Sequence, residues 1–255
     1  MAEFTIEIAG RRAAVTALFD STRDYCRSYL TEEPADFSVT VTREDLAFEQ
    51  QALLEEALEE GIKPRVFTDP FLDRAAIQRK VAEQLFDSDT LLFHGSTVAV
   101  DGESYLFTAD CGTGKSTHTR LWRQVFGDRA VMVNDDKPFL KIGAAGVLAC
   151  GAPWSGKHGL DTNITVPLKG ICILRRGSEN RIRPIGAQEA MEMLTKQSVS
   201  PVAPEKYPKY RSLVDMLAEK VPLWQMDCTK DPDAALISYR AMSADFGGSL
   251  CIENA

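Results

Sequence analysis

The feature that most constrains this chain is a glycine-rich string at residues 109–117, which reads ADCGTGKST. The apolar run YLFT, residues 105–108, precedes it, and a helical pattern follows from Lys115 to about Phe126. Between a strand and a helix, glycines let the backbone turn its N–H groups inward, towards anionic oxygens at the helix N-terminus. The string therefore predicts a P-loop centred on Lys115 that binds ATP and Mg²⁺.

Each polar position of the predicted P-loop has an expected role. Lys115 can reach the β- and γ-phosphates of ATP, and the Ser116 hydroxyl can bind Mg²⁺. The other predicted nucleotide contacts come from neighbours on both sides of this pair, namely Cys111, Gly112, Thr113, Gly114 and Thr117.

The first position of the pattern is usually glycine and here is Ala109. A methyl group is tolerated there as long as the backbone keeps a negative φ. Two alternatives stay open. The string could be a glycine-rich turn in which GKST occurs by chance, or Ser116 and Thr117 could be ordinary polar residues of a first helical turn.

Two adjacent carboxylates follow the next apolar strand of the sequence. Asp135 and Asp136 close the run AVMVN, residues 130–134. A carboxylate at a neighbouring strand end is where a P-loop protein holds its metal or its attacking group. Adjacent strand residues point to opposite sides, so one can face the metal and the other a substrate hydroxyl. The alternative is a solvated turn before Lys137, since Asn-Asp-Asp ahead of a proline favours turns.

A dense Gly/Pro segment, GAPWSGKHG, occupies residues 151–159. Its glycines allow the backbone to approach a ligand closely. Lys157 could meet the γ-phosphate or an acidic acceptor, and Trp154 could form a wall of the pocket. The alternative is a surface turn with Trp154 packed in the core. Upstream, His94 ends an apolar run, and by itself it is typical of a core residue.

Composition limits the classes of partner. The chain has 255 residues and a formal net charge of −8. An acidic balance argues against general binding to nucleic acid or to an anionic membrane. A membrane-spanning helix needs about 18 apolar residues in a row, and no apolar stretch of this sequence approaches that length.

Cysteine usage indicates a reduced, cytoplasmic protein. No two cysteines form a C-x-x-C pair, and the N-terminus lacks the basic and apolar regions of a signal peptide. The six cysteines are scattered along the chain: Cys26, Cys111, Cys150, Cys172, Cys228 and Cys251. A zinc site is not expected.

Periodicity predicts two parts. Strand patterns at 4–8 and 37–41 and a capped helix over 42–61 indicate a small α+β lobe at residues 1–65. Residues 66–255 form the predicted P-loop domain. Within it we expect a helix at 71–87, three closely spaced strands before the P-loop, a strand at 169–177, and helices at 186–197, 209–220 and 231–243. The fold class is therefore α/β.

The order of motifs resembles a known family. A histidine and glycine at 94–95, Asp101–Gly102, a strand, CGTGKST and VNDD follow one another. This arrangement resembles the catalytic domain of HPr kinase/phosphorylase, and the related P-loop of ATP-dependent phosphoenolpyruvate carboxykinase. The resemblance covers about residues 90–185. It implies a P-loop on a mixed β-sheet with flanking helices, rather than on a Rossmann-like sheet.

The resemblance also implies roles for individual residues. Asp135 matches the general base that takes the proton from the acceptor hydroxyl, and Asp136 matches the aspartate on the metal side. His94 matches the histidine beside the catalytic aspartate, so that it would orient Asp135. The GxPWxGK string around Lys157 is similar to that of small HPr-kinase-like proteins, which favours a role for Lys157 in the site.

Departures from the family limit what the resemblance implies about the substrate. HPr kinase/phosphorylases have Ser where this chain has Cys111, and commonly Glu where it has Thr117. Their second signature is not recognisable here, and neither are the carboxykinase's other substrate motifs.

The sequence therefore predicts an ATP- and Mg²⁺-dependent kinase. Its acceptor is a hydroxyl, either on a peptide or protein serine or on a small metabolite. A homo-oligomer is compatible with this reading. Two alternatives remain open, a non-catalytic ATP-binding module and a phosphorylase- or carboxykinase-like enzyme.

Overall fold

The N-terminal part of the chain forms a three-stranded sheet, seen in a computed structural model that describes residues 1–59, 61 and 63–244. Strands β1 (Ala2–Ile8) and β2 (Arg11–Ala17) form an antiparallel hairpin, and β3 (Phe37–Thr40) adds to β2 in parallel. The patterns at 4–8 and 37–41 are confirmed. Strand β2 was not predicted, because its buried face is mostly alanine and gives a weak hydrophobic alternation.

Three helices follow in this part: α1 (Asp20–Tyr25), α2 (Arg43–Glu59) and α3 (Asp69–Leu85). Helix α2 begins at the predicted cap, where Thr42 N–H donates to Asp45 Oδ2 at 2.8 Å and Asp45 N–H donates to Thr42 Oγ1 at 3.3 Å. Helix α3 is tied to α1 by Asp73, which is fully buried and accepts a hydrogen bond from Thr22 Oγ1 at 2.5 Å.

The second sheet is mixed and has nine strands within the described part of the chain. Its spatial order is β4-β8-β9-β10-β6-β5-β7, with β12 beside the C-terminal half of β10 and β11 beside β12. The strands are β4 (Thr90–Leu92), β5 (Ser96–Val100), β6 (Glu103–Thr108), β7 (Ala130–Asn134), β8 (Phe139–Gly143), β9 (Gly146–Cys150), β10 (Thr165–Arg176), β11 (Arg181–Ile185) and β12 (Leu223–Cys228).

The long strand β10 curls the sheet. Its first residues, 165–167, pair with β9 in the antiparallel sense. Its later residues run parallel to β6 on one side and to β12 on the other. β10 therefore joins an antiparallel part of the sheet, which contains β9, to a part in which its neighbours β6 and β12 run parallel to it.

Helices cover both faces of this sheet. Ile171 and Ile173 of β10 pack with α5 (Ala187–Gln197) and α6 (Tyr207–Lys220), while Cys172 and Leu174 pack with α4 (Lys115–Phe126) and α7 (Asp233–Ser243). Alternating residues of one strand therefore serve two helical layers. The helices predicted after residue 114 are confirmed to within a few residues, and the fold is mixed α/β as expected.

Strands β8, β9, β11 and β12 were not predicted. β11 reads RIRPI, and its residues are exposed or half-buried at the edge of the sheet, so no hydrophobic period marks it. None of the described helices is both long and apolar enough to cross a membrane.

One hydrophobic cluster joins the N-terminal sheet to the large one. It contains Ile6 and Val15 of the first sheet, Ile77 of α3, and Phe139 and Trp154 beside the second sheet. The division into 1–65 and 66–255 stays a prediction. The end of the second range, with Cys251, lies outside the described residues.

A tight backbone crossing gives a test of this packing. A Cβ atom built on Gly151 would lie 1.9 Å from the carbonyl oxygen of Thr162. Since backbone cannot yield as a side chain can, we expect Gly151→Ala to lower the free energy of unfolding by about 2 kcal/mol or more, measured by urea denaturation. Gly186→Ala is the control, because its Cβ would meet nothing within 4 Å. Equal stability of the two variants would contradict the packing described.

Candidate functional site

The glycine-rich loop, defined as residues 109–114, links β6 to α4. Gly112 and Gly114 have φ values of +72° and +129°, a region that favours glycine. Ala109 keeps a negative φ and is buried, so its methyl group is accommodated. Its carbonyl accepts a hydrogen bond from Lys115 Nζ at 2.9 Å. The loop conformation therefore depends on both glycines and tolerates the alanine.

The glycine-rich loop delivers the start of α4 to an open cleft. Gly114 is the N-cap and provides no side-chain hydrogen bond to the first turn. The orphan N–H groups and the positive end of the helix dipole favour an anion at this position. No acidic side chain stands in the first turn of α4.

The cleft has a volume of about 700 Å³. Among the described residues, its lining carries the cationic groups of Lys115, Arg120, Arg123 and Lys157, and a single carboxylate, Asp135. Such a balance suits a polyanion. The other residues that line this cleft are Cys111, Gly112, Gly114, Ser116, Thr117, His158 and Leu160.

Most of the predicted site residues thus meet in one cleft. Thr113 instead lines a neighbouring cleft of about 590 Å³, which shares Gly112, Gly114 and Thr117 with the first. Asp136 and His94 do not line the first cleft. They lie on the far side of the turn that follows β7.

Asp135 is held firmly in the cleft wall. Only 5 % of the residue is exposed. Ser96 Oγ donates to Asp135 Oδ1 at 2.8 Å, and the Asp135 N–H donates to the Leu160 carbonyl at 3.0 Å. Ser96 Oγ also lies 2.8 Å from Thr119 Oγ1 of α4. One carboxylate oxygen is therefore fixed by β5 and, through Thr119, by the helix that follows the glycine-rich loop.

The expected pairing of His94 with Asp135 is wrong. His94 Nε2 lies 3.4 Å from Asp136 Oδ1. The residue that contacts the Asp135 carboxylate is Ser96, two positions further along the chain.

Strand register explains this exchange of partners. β5 and β7 are antiparallel and pair Thr97 with Asn134. One step back along β5 and one step forward along β7 bring Ser96 beside Asp135. One step more joins the Gly95 N–H to the Asp136 carbonyl at 2.9 Å. A histidine at position 94 therefore reaches the second aspartate and not the first.

The environment of Asp136 keeps its carboxylate ionised. Burial by itself raises the pKa of this carboxyl group. The hydrogen bond from His94 and the charges of Lys137, His94 and Lys115 outweigh burial, so that the pKa lies below its ordinary value.

The turn that carries both aspartates is shaped by Asn134. This side chain is fully buried, and its Oδ1 accepts the N–H groups of Asp136 at 2.8 Å and of Lys137 at 2.7 Å. Its Nδ2 donates to the carbonyl of Ala152 at 2.8 Å and also to that of Trp154 at 3.3 Å. One amide therefore fixes the aspartate turn and the middle loop, residues 151–161, against each other.

The N-terminal part of the chain also holds the middle loop. Trp154 Nε1 donates to the carbonyl of Arg74 in α3 at 2.8 Å. Tyr29 Oη and Ser155 Oγ donate to the two carboxylate oxygens of Asp161, at 2.9 and 2.7 Å. Trp154 is 6 % exposed and packs in the core, and it does not line the cleft.

Sequence reasoning missed several residues of this site, namely Ser96, Arg120, Arg123 and Asn134. Arg120 and Arg123 lie four and seven residues after Ser116, so one face of α4 carries all three to the cleft. Their helical spacing from Ser116 could have identified both arginines from the sequence. Ser96 and Asn134 gave none, because a serine beside glycine and an asparagine before two aspartates are also ordinary turn residues.

His118 is a core residue. It is buried in α4, its ring lies 4.4 Å from that of Phe107, and its Nε2 lies 3.0 Å from Ser238 Oγ. Burial lowers the pKa of His118 from 6.5 to about 3. It is therefore neutral in the folded protein near pH 7.

The chain is thus a mixed α/β protein with a cationic cleft at a strand–loop–helix junction. The family model of the SynChlorMet cassette protein ScmC matches residues 72–222. That range is more than half of the chain, and the protein belongs to the ScmC family. No curated protein matches the sequence.

A solved structure gives a distant likeness. It is the HPr(Ser) kinase/phosphatase from Coxiella burnetii, which is 11% identical, covers 60% of this chain and 97% of its own, and aligns with a TM-score of 0.36.

The buried histidine predicts a pH dependence of stability. Below pH 6.5 the unfolded chain binds a proton at His118 that the folded chain excludes, so stability falls as the pH falls from 6.5 towards 3. The slope from this group is at most about 1.4 kcal/mol per pH unit. We expect His118→Gln to flatten the dependence between pH 6.5 and 5, measured by urea unfolding. His158→Gln, at an exposed position, should leave the slope unchanged, and equal slopes in all three proteins would contradict the assignment.

Proposed function

We propose that this protein is an ATP- and Mg²⁺-dependent kinase that transfers the γ-phosphoryl group to a hydroxyl acceptor. The observation that carries the proposal is the shared cleft in which Lys115 and the start of α4 face Asp135. A cationic helix start suits a triphosphate, and a fixed carboxylate suits a proton acceptor.

The glycine-rich loop is proposed to act as a P-loop. Its N–H groups and Lys115 hold the β- and γ-phosphates, with Arg120 and Arg123 adding positive charge to the cleft wall. The neighbouring cleft of about 590 Å³ continues from the same glycines and has room for the nucleoside. Arg176, which lines it, donates to the Gly112 carbonyl at 2.6 Å and so fixes the loop between the two clefts.

The donor set fits magnesium. No group of three or more His, Cys, Asp or Glu side chains capable of holding a metal occurs among the described residues. Mg²⁺ bound with a nucleotide needs only one or two protein oxygens besides phosphates and water. Ser116 offers a hydroxyl from the lining of the cleft. Asp136 does not line the cleft, and it offers a carboxylate whose pKa is lowered in part by the charge of Lys115, a residue of the cleft. When bound, the ion neutralises charge that develops on the phosphoryl oxygens.

Asp135 is the proposed general base. Ser96 occupies Oδ1, which orients the carboxylate and leaves Oδ2 towards the middle loop near Gly156. As the acceptor oxygen bonds to the γ-phosphorus, its proton passes to Asp135. The bond from the γ-phosphorus to the bridging oxygen breaks, and ADP leaves. Lys157 stands at the mouth of the cleft, where its charge can stabilise the transferred group.

Removal of the base tests the catalytic role. We expect Asp135→Asn to lower kcat for phosphoryl transfer by about 10²-fold or more, because the acceptor proton loses its acceptor group. ATP affinity, measured by calorimetry, should change little. Asp215→Asn, at an exposed position of α6, is the control. Full activity of Asp135→Asn would refute the assignment of the base.

Removal of the Lys115 ammonium group tests nucleotide binding separately from catalysis. We expect Lys115→Ala to weaken ATP binding by about 10-fold or more, since a charge-assisted contact to phosphate is lost. Lys220→Ala, at the exposed end of α6, should bind ATP as the native protein does. The measurement is calorimetric titration with Mg²⁺–ATP. Unchanged affinity in Lys115→Ala would refute the proposed P-loop.

A further inference from the structure

A second pocket lies on the other side of the aspartate turn. Its volume is about 340 Å³. Helices α2 and α3 and the segment around Arg65 form one side, and the middle loop forms the other. We call it the lobe pocket, because Tyr25, Leu53 and Arg65 of the N-terminal part of the chain contribute to its lining.

The lobe pocket is strongly cationic. In the part of the lining that the structure describes, Arg65, Arg74, Lys137 and Lys157 stand against the single carboxylate of Asp136. Within the described residues, none of these four cations forms an ion pair at 4.0 Å or less. Four positive charges against one carboxylate raise the energy of the empty pocket, and an anionic ligand relieves that repulsion.

Much of the remaining lining is apolar or aromatic. Trp154 is buried and hydrogen-bonded to α3, and Tyr25 lies under the guanidinium of Arg74, 4.4 Å from its ring centroid. Phe71 is 36 % exposed and stacks on Phe67 at 4.6 Å. An anion with an apolar body matches such a lining better than a small hydrated ion does.

A buried polar group adds a second, independent indication of a ligand. Gln78 lines the pocket and is 9 % exposed. Its Nε2 atom is buried and has no hydrogen-bond partner among the described residues. A buried donor without a partner is costly, and a rotation of the Gln78 amide towards a ligand oxygen in the pocket would satisfy it.

Gly156 lines the lobe pocket beside both aspartates. A Cβ atom at this position would lie 3.4 Å from Asp136 Cβ and 3.8 Å from Asp135 Oδ2. Because Gly156 has no side chain, this space next to the Asp135 carboxylate is not filled. Lys157, the next residue, lines both cavities. A hydroxyl on a molecule in the lobe pocket can therefore approach the proposed base.

We propose that the lobe pocket binds the phosphoryl acceptor, and that this acceptor is a hydroxylated carboxylate with an apolar body. The inference rests on the proposed kinase function and names its substrate class. The carboxylate faces Arg65, Arg74 and Lys137, while the hydroxyl reaches Asp135 past Gly156. The acceptor chemistry could belong to a free acid or to the carboxyl end of a peptide. The N-terminal part of the chain thereby selects the acceptor.

The test compares matched probes in the absence of nucleotide. 2-Hydroxy-3-phenylpropanoate is titrated calorimetrically against its carboxamide, and a tripeptide that ends in serine is titrated with a free and with an amidated C-terminus. We expect at least one carboxylate to bind about 10-fold more tightly than its amide, as for a hydrogen bond to a charged group. The pair that shows this preference identifies the acceptor as a free acid or as the carboxyl end of a peptide.

Variants assign the preference to the lobe pocket. We expect Arg74→Gln and Lys137→Gln each to reduce it to about 3-fold or less, whereas Arg211→Gln on the exposed face of α6 leaves it intact. Two positions are used because Arg74 also packs on Tyr25. No preference in either pair, or a preference that survives both substitutions, overturns the inference.

The same probes separate failure of this inference from failure of the kinase proposal. With the native protein, labelled phosphate from γ-labelled ATP should appear on the preferred carboxylate probe. With the Asp135→Asn variant, the probe should stay unlabelled. If ATP binds through Lys115 and is turned over without any carboxylate preference, the substrate class is wrong and the kinase proposal stands. If a carboxylate binds the pocket but ATP affinity is unchanged in Lys115→Ala, the kinase proposal fails, and with it the role of the pocket in accepting phosphate.

Discussion

The buried amide of Asn134 joins the parts of the site to one another. Its oxygen accepts two N–H groups of the turn that carries Asp136, and its nitrogen donates to two carbonyls of the middle loop. An aspartate could not supply the donor, and a leucine would remove the side-chain partner of four backbone groups, two of which form buried hydrogen bonds. The relative position of Asp135 and Gly156, and so the junction of the two cavities, depends on this residue.

Strand order supplies the second constraint. β5 lies between β6 and β7 and is antiparallel to both, so its first residue, Ser96, stands at the edge where the other two strands end. That edge receives the glycine-rich loop from β6 and the aspartate turn from β7. Ser96 then bonds to Asp135 and also lies beside Thr119 of α4. A site assembled on one sheet edge needs no long flexible loops to bring its groups together.

The N-terminal part of the chain stabilises the middle loop as well as lying beside it. Trp154 of the middle loop is packed in the core that also contains Ile6 and Ile77, and Tyr29 reaches Asp161 across the same boundary. Burial of the tryptophan stabilises the loop and fixes the wall of the lobe pocket. A change in the N-terminal helices therefore alters a surface that faces the aspartate turn.

The sequence by itself determined the local features: the strand–glycine–helix junction around Lys115, the capped start of α2, and the helices after residue 114. These depend on interactions within a few residues, which composition and period record. The sequence did not determine which aspartate His94 contacts, that Ser96 orients Asp135, or that the first 65 residues line a pocket beside the turn. Those contacts join residues far apart in the chain, and only strand register and the packing of α3 against Trp154 decide them.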